Sequence, residues 1–278
     1  MASVASGETL PLEPFEVLFE DEDQGAAELP AELARIYAGG LELREPCVYA
    51  NFVSTVDGVV AIPALESSNA VIAAGSRADH FLMGLLRALA DVVLVGAGVL
   101  EASPAGTWRP EKVYPPAQDL FAELRRQTGH APAPEVAVLT GSGSIDPGHP
   151  LLASGALVIT SERGAARLGR LPAASTVLVL GDDPRIDGRA VVDALRERGH
   201  RLVLSEAGPH AFGSLLEAGV VDELFLTISP RLAGDAGDDS RLRLVEDADL
   251  VPLLELGPLS LRRHGAHLFA RYRIAKPA

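Results

Sequence analysis

Residues 77–98 read RADHFLMGLLRALADVVLVGAG, and a change of period inside this run decides the fold class. Through Ala90 the apolar residues Phe81, Leu82, Leu85, Leu86 and Leu89 recur at spacings of three and four, which puts them on one face of a helix. Asp91 ends that pattern. Val92–Val95 then runs without a polar interruption, as a strand covered on both faces does. Gly96-Ala97-Gly98 closes the strand. A helix that feeds a buried strand ending in a glycine turn is a unit of α/β architecture.

The same grammar recurs on either side. Val48–Val53 reads as a strand ending at Ser54, with a tight turn at Asp57-Gly58 and a further extended piece at Val59–Ile62. Downstream, Asp119–Arg126 reads as a helix, and Val136–Leu139, Ala156–Thr160 and Thr176–Leu180 as strands. Arg189–Arg198 reads as a helix closed by Gly199. Leu202–Leu204, a helix at His210–Glu217 and a strand at Glu223–Ile228 follow. Residues 103–116 hold four prolines and are expected to form a loop. Leu253–Arg263 and His267–Ile274 flank Gly265 as a hairpin. The expected fold is α/β: a mixed, mostly parallel central sheet flanked by helices, with a C-terminal antiparallel hairpin.

The chain has 278 residues and a formal charge of −14. Length alone suggests two domains. Charge redraws that picture: residues 1–34 carry nine acids and no Lys or Arg, leaving −5 for the remaining 244 residues. We therefore expect an acidic N-terminal arm over 1–45, with a short helix near Ala31–Tyr37, and one domain over 46–278. The acidic balance speaks against a nucleic-acid partner. The single Cys47 excludes a disulfide framework, and no His-Glu-x-x-His unit occurs, so no metal site is expected. No apolar run is long enough to span a bilayer and the N-terminus lacks a secretory pattern, so no membrane association and a cytoplasmic location are expected. Only two basic residues are lysines, Lys112 and Lys276. An anion site is accordingly expected to use arginine or backbone amides.

Three strands end in glycine-containing turns: Val95-Gly96-Ala97-Gly98, Leu180-Gly181-Asp182 and Ser205-Glu206-Ala207-Gly208-Pro209. Ligands of open α/β sheets sit beyond the carboxyl ends of strands. Glycine there either shortens the turn or lets backbone approach a nucleotide. The dinucleotide fingerprint is incomplete, because Glu101 stands where its third glycine belongs. Asp57 reads as a turn aspartate or as a carboxylate at the rim of a pocket. Glu206 reads as a solvated turn residue or as a carboxylate beside an anion-binding helix start.

Taken in order, Asn51-Phe-Val-Ser54-Thr-Val-Asp57-Gly58, Leu86-Arg87-Ala-Leu-Ala-Asp91-Val-Val-Leu-Val-Gly96-Ala-Gly98, Glu206-Ala-Gly208-Pro209 and Gly219-Val-Val-Asp222-Glu223-Leu resemble the reductase domain of riboflavin biosynthesis. This is the C-terminal half of the bifunctional deaminase–reductase, with a dihydrofolate-reductase-like fold. The likeness spans about Tyr49–Ile274. A deaminase half is not expected, since its His-x-Glu and Pro-Cys-x-x-Cys elements are missing.

The resemblance implies an NADPH-dependent reductase acting on 5-amino-6-(5-phosphoribosylamino)uracil, with hydride passing to an imine carbon. It implies Asp57 and Glu206 as catalytic, and Asn51, Ser54, Arg77 and Arg87 as substrate-binding, with Arg87 equally readable as an ion-pair residue of a helix surface. Gly96, Gly98, Val99, Thr160, Ser161, Arg163, Gly181, Ala207 and Gly208 are implied at the cofactor. The pattern departs from the family at three places. Val99 replaces a threonine, Ala102-Ser103-Pro104 replaces an Asp-x-Pro element, and Ala207 replaces a glycine. A reductase of another substrate, dihydrofolate-like, pterin-like or a specialised heterocycle, and a non-catalytic NADP(H)-binding module are the alternatives. A homodimer using the sheet edge, the hairpin and Leu253, Leu254 and Leu256 is also implied.

Overall fold

The computed structural model describes residues 12–22, 25, 27–65, 67–234, 237 and 241–276. Its strands are β1 (Glu16–Glu20), β2 (Cys47–Ser54), β3 (Val59–Ala61), β4 (Val92–Gly96), β5 (Glu135–Thr140), β6 (Leu157–Thr160), β7 (Thr176–Val179), β8 (Leu202–Ser205), β9 (Glu223–Ile228), β10 (Leu242–Arg243), β11 (Leu256–His264) and β12 (His267–Ile274). The helices are α1 (Ala31–Tyr37), α2 (Ser68–Ile72), α3 (Arg77–Leu89), α4 (Ala97–Glu101), α5 (Pro110–Val113), α6 (Gln118–Gln127), α7 (Pro150–Ser154), α8 (Glu162–Ala165), α9 (Gly188–Glu197) and α10 (Pro209–Glu217).

Ten strands form one sheet in the order β1-β11-β12-β9-β2-β8-β4-β5-β6-β7, and β10 pairs with β3 apart from it. From β9 across to β7 every pairing is parallel. The β11–β12 hairpin, its neighbour β1 and the β12–β9 pairing are antiparallel. The expected mixed, mostly parallel sheet with a terminal hairpin is what the chain forms.

Parallel strands covered on both faces must be apolar on both faces, and β4 is buried at every residue. One face packs Val93 and Val95 under Leu82, Leu85, Leu86 and Leu89 of α3. The other packs Val92 and Leu94 with Val191, Val192 and Leu195 of α9 and Phe212 and Leu215 of α10. Full burial of one such side chain contributes roughly 1.5–3 kcal/mol.

Two polar devices set β4 between its neighbours. The buried Arg125 of α6 donates to the carbonyls of Ala88 (3.0 Å) and Ala90 (2.8 Å), which satisfies acceptors that the end of α3 leaves open. Asp91 accepts from the amides of Arg201 (2.7 Å) and Leu202 (2.8 Å), at the entry to β8.

The described residues of the segment 12–45 pack against this sheet. β1 pairs with β11, Phe15 meets Phe269 edge-on at 4.7 Å, and Leu33, Ile36 and Tyr37 of α1 are buried. Arg262, buried, donates to the Tyr37 carbonyl and to Glu20, both at 2.9 Å, with its guanidinium over the Tyr37 ring. Of the nine acids in the segment, Glu8 and Asp23 lie outside the described residues.

One stretch departs from expectation. Residues 103–116 are not a plain loop, because Pro110–Val113 is helical. Pro110 opens that helix at its first position, where the missing amide costs nothing and the fixed φ suits the helix. Among the described residues no helix is long and apolar enough to cross a membrane.

Candidate active site

Parallel register brings the carboxyl ends of the strands to one edge. Ser54 lies beside Ile228, Gly96 beside Leu139 and Thr140 beside Thr160. β4 and β8 end as neighbours, and the Glu206 amide donates to the Leu94 carbonyl at 2.9 Å. The turns after β4 and β8 are thereby pressed together. A Cβ on Gly96 would lie 2.3 Å from the Ala207 carbonyl oxygen, and one on Gly208 would lie 3.1 Å from Val99 Cγ2. Gly208 also has φ +84°, a conformation open to glycine at little cost. Gly96, Val99, Ala207 and Gly208 are thus one constellation. Gly98 faces open space within it. The Ala207 side chain is buried with Phe212 and Leu215, so its methyl group does not point into the turn.

Glu206 and Arg87 meet across this edge. Arg87 Nε donates to Oε1 at 3.0 Å and Nη2 to Oε2 at 2.6 Å, with side-chain exposures of 11% and 9%. That is a two-pronged, largely dry ion pair, and a planar fork matches a carboxylate in this way. Two residues expected in separate roles, catalysis and substrate binding, are therefore bound to one another.

Arg87 also lines a cleft of about 500 Å³, whose other walls are Ser103, Ala105, Gly106, Thr107, Trp108, Lys112 and Val113. Thr107 presents a buried hydroxyl with no partner among the described residues. Trp108, the one tryptophan, is buried with φ +51°. A Cβ on Gly106 would lie 2.7 Å from its indole. His149 pins the loop from the far side, its Nε2 lying 3.0 Å from the Ser103 carbonyl while its Nδ1 accepts from the Leu151 amide at 3.1 Å. Lys112 corrects the expectation that arginine and backbone alone are available for an anion: it stands in the cleft with Arg87. The four-proline run hid it, because nothing in the sequence said that the run turns helical there.

Asp57 sits at the surface after β2. Its carboxylate accepts from the amides of Ala233 (3.1 Å) and Gly234 (2.7 Å). Its pKa is lowered to about 2, first by the hydrogen bond from Thr55 and then by those amides. Such a group is ionised at neutral pH and acts as an acceptor. Ser54 is buried, and its carbonyl accepts from the Ser229 amide. Asn51 lies in β2, half-buried, and Arg77 opens α3 at the surface.

At β6 the hydroxyls are engaged internally. Thr160 donates to the Thr140 carbonyl at 2.6 Å and Ser161 to that of Gly141 at 2.8 Å. Ser161 also caps α8, accepting from Gly164. Arg163 is exposed beside them, and Gly181, at φ +69°, follows the edge strand β7. These residues form a second group at the strand ends, distinct from the β4–β8 turns.

Asp79 was missed by the sequence reading. It is buried in the first turn of α3, and burial pushes its carboxyl up to about 6, against the lowering effect of Thr227 and His267. A signal existed. Asp79 continues the stripe Leu82, Leu86, Leu89 backwards by one turn, so a helix facing the sheet with its leucines must face it with this carboxyl too.

No curated protein matches the sequence. Among solved structures, the chain is similar to a pyrimidine reductase-like protein from Corynebacterium diphtheriae NCTC, with 22% identity, 84% of this chain and 93% of that one covered, and a TM-score of 0.61. It is similar to a diaminohydroxyphosphoribosylaminopyrimidine deaminase/5-amino-6-(5-phosphoribosylamino)uracil reductase from Thermotoga maritima, with 20% identity, 84% and 57% coverage and a TM-score of 0.61. The riboflavin biosynthesis reductase Rib7 of Saccharomyces cerevisia is similar at 14% identity, 86% and 94% coverage and a TM-score of 0.58. At these identities the likeness is one of fold. The family model of the RibD C-terminal domain matches residues 46–261, and the chain belongs to that family.

Proposed function

We propose that the protein is a reductase that takes hydride from NADPH and reduces the ribosylamino group of 5-amino-6-(5-phosphoribosylamino)uracil. One observation carries this reading. A cleft holding Arg87, Lys112 and a Thr107 hydroxyl unpartnered among the described residues is joined, through the Arg87–Glu206 pair, to a strand-end turn in which Gly98 faces open space. The cations suit a substrate phosphate, and bare backbone suits the close approach of a pyrophosphate.

The fit to a dinucleotide rests on the open backbone at Gly98. Gly96, Gly98, Val99, Ala207 and Gly208 would hold its central part, with Thr160, Ser161, Arg163 and Gly181 at the adenosine end. When bound, the cofactor supplies the hydride. The chain orients and excludes water. Asp57, ionised and tied to Ala233 and Gly234, anchors the substrate-side loop beside Ser54 rather than giving up a proton. Glu206 holds Arg87 toward the cleft, and Asn51 and Arg77 border the substrate side.

The test is oxidation of NADPH by the protein in the presence of the ribosylaminopyrimidine phosphate, with dihydrofolate as comparison. Consumption with the former alone supports the reading. Consumption with dihydrofolate, or tight NADPH binding without turnover on either, would sink it. We place the protein in the cytoplasm as a homodimer, in which the exposed Leu253 and Leu256 meet a second copy. A monomer mass in solution scattering would refute the dimer.

A further inference from the structure

The cleft has walls of two kinds. Arg87 and Lys112 stand on the helices α3 and α5, and Glu206 fixes the guanidinium of the former. The wall from Ser103 to Trp108 contains neither helix nor strand. Its backbone turns once, the Gly106 amide donating to the Ser103 carbonyl at 2.8 Å. Trp108 has φ +51°, and its indole fills the space that a side chain on Gly106 would need. A backbone in so sparsely populated a conformation persists only where its surroundings hold it.

The holding comes from His149, a buried residue 46 positions along the chain from Ser103. Its Nδ1 accepts from the Leu151 amide at 3.1 Å and so caps α7, which leaves no hydrogen on that nitrogen. The ring hydrogen therefore sits on Nε2, which donates to the Ser103 carbonyl at 3.0 Å. That oxygen accepts twice, from Gly106 within the turn and from His149 outside it. The imidazole also lies beside the Trp108 indole, with centroids 6.3 Å apart. One side chain thus meets both ends of the irregular wall. Thr107 lies between those ends, lines the cleft, and keeps a buried hydroxyl with no partner among the described residues. An anion held by Arg87 and Lys112 gains that hydroxyl at little cost only if the wall is already in place, because ordering a loop on binding lowers affinity.

We propose, on the reductase reading above, that His149 is a positioning residue for the substrate phosphate. It lines no part of the cleft itself. It sets the cleft's affinity by holding residues 103–108 in the shape that presents Thr107. Its two nitrogens have separable tasks, a cap at Nδ1 and a pin at Nε2. His149→Asn places an acceptor where Nδ1 stands and stops short of the Ser103 carbonyl, so it keeps the cap and loses the pin. His149→Gln reaches as far as Nε2 with an amide donor, so it keeps the pin and loses the cap.

The experiment compares wild type with these two variants. It reads the Kd of ribose 5-phosphate by calorimetry, the emission of Trp108 as the one tryptophan, and the melting temperature. KM and kcat with NADPH and the ribosylaminopyrimidine phosphate are read beside them. His149→Asn should weaken ribose 5-phosphate about three- to tenfold, the effect of losing one hydrogen bond. It should raise KM by the same factor with kcat within about twofold, move Trp108 emission to longer wavelength, and melt as the wild type does. His149→Gln should melt about 2 °C lower for want of its cap, yet keep the wild-type Kd, KM and emission. A merely structural histidine would give the reverse order, with the less stable His149→Gln the more impaired. His149→Asn with the wild-type Kd, or His149→Gln as weak as His149→Asn, overturns the proposal and leaves the reductase reading intact. A wild type that binds no ribose 5-phosphate overturns the proposal, and one that also consumes no NADPH overturns both.

Discussion

The Ala207 carbonyl oxygen occupies the place where a side chain on Gly96 would begin, 2.3 Å from an ideal Cβ. The turns after β4 and β8 are consequently a single packed object, and glycine at 96 is required by protein backbone before any ligand arrives. Ala207 is accommodated for the same reason: its carbonyl faces Gly96 and its methyl group joins the opposite core.

Substitution separates the two glycines of this turn. Gly96→Ala forces backbone movement and should cost about 1–3 kcal/mol, as overpacking does, read from the urea midpoint. Gly98→Ala meets nothing within 4 Å and should leave stability unchanged within about 0.5 kcal/mol. If Gly98→Ala also leaves NADPH affinity unchanged, backbone at 98 is not where the cofactor comes close.

The Arg87–Glu206 pair should behave as a unit. Removing either partner strands a largely buried charge, at a cost of about 3–5 kcal/mol. Arg87→Met with Glu206→Leu strands neither. The double variant should therefore be more stable than the sum of the single losses implies, a positive coupling in a thermodynamic cycle. Additive losses would show that the two groups act separately. Turnover should be lost in all three variants.

The sheet was legible because β2, β4, β8 and β9 are short, largely apolar runs closed by Ser54, Gly96, Ser205 and Ser229, and period alone finds such runs. The glycine turns were legible as a group. Their division was not, since a sequence does not show that β4 and β8 are adjacent while β6 lies two strands farther out. Lys112 and Trp108 were hidden by prolines that read as loop yet start a helix. The joining of Arg87 to Glu206 spans 119 residues and has no local signature. Asp79 left a trace in the leucine stripe of α3. An acid in a first helical turn, however, is also what the helix dipole favours, and that reading needs no burial.

Asp57 gives a pH-dependent prediction. Its folded pKa, about 2, lies below the unfolded value of about 3.9. Its contribution is complete above the unfolded value and is lost as pH falls through the folded one. The melting-temperature gap between wild type and Asp57→Asn should be full near pH 6 and close by about pH 1. The carboxylate lies at the surface, so the gap should be small and should shrink with salt. A gap independent of pH would show that the Ala233 and Gly234 amides are held equally well by a neutral side chain.

Asp79 gives the opposite sign. Its folded pKa, about 6, lies above the unfolded value of about 3.9. Below the unfolded value the neutral acid is present in both states and its contribution is complete. As pH rises toward the folded value the unfolded chain ionises first, and stability is drawn off until the folded carboxyl ionises too. A difference of about two pKa units corresponds to roughly 3 kcal/mol at the upper end. Asn keeps a buried polar group opposite Thr227 without the charge. Asp79→Asn should thus match wild type in stability near pH 3 and exceed it near pH 8, by denaturant unfolding at the two values. Such a gain would mean that the fold carries a buried acid that nothing in it compensates. An Asp79→Asn protein less stable than wild type at the higher pH would place the carboxyl among the structural groups instead.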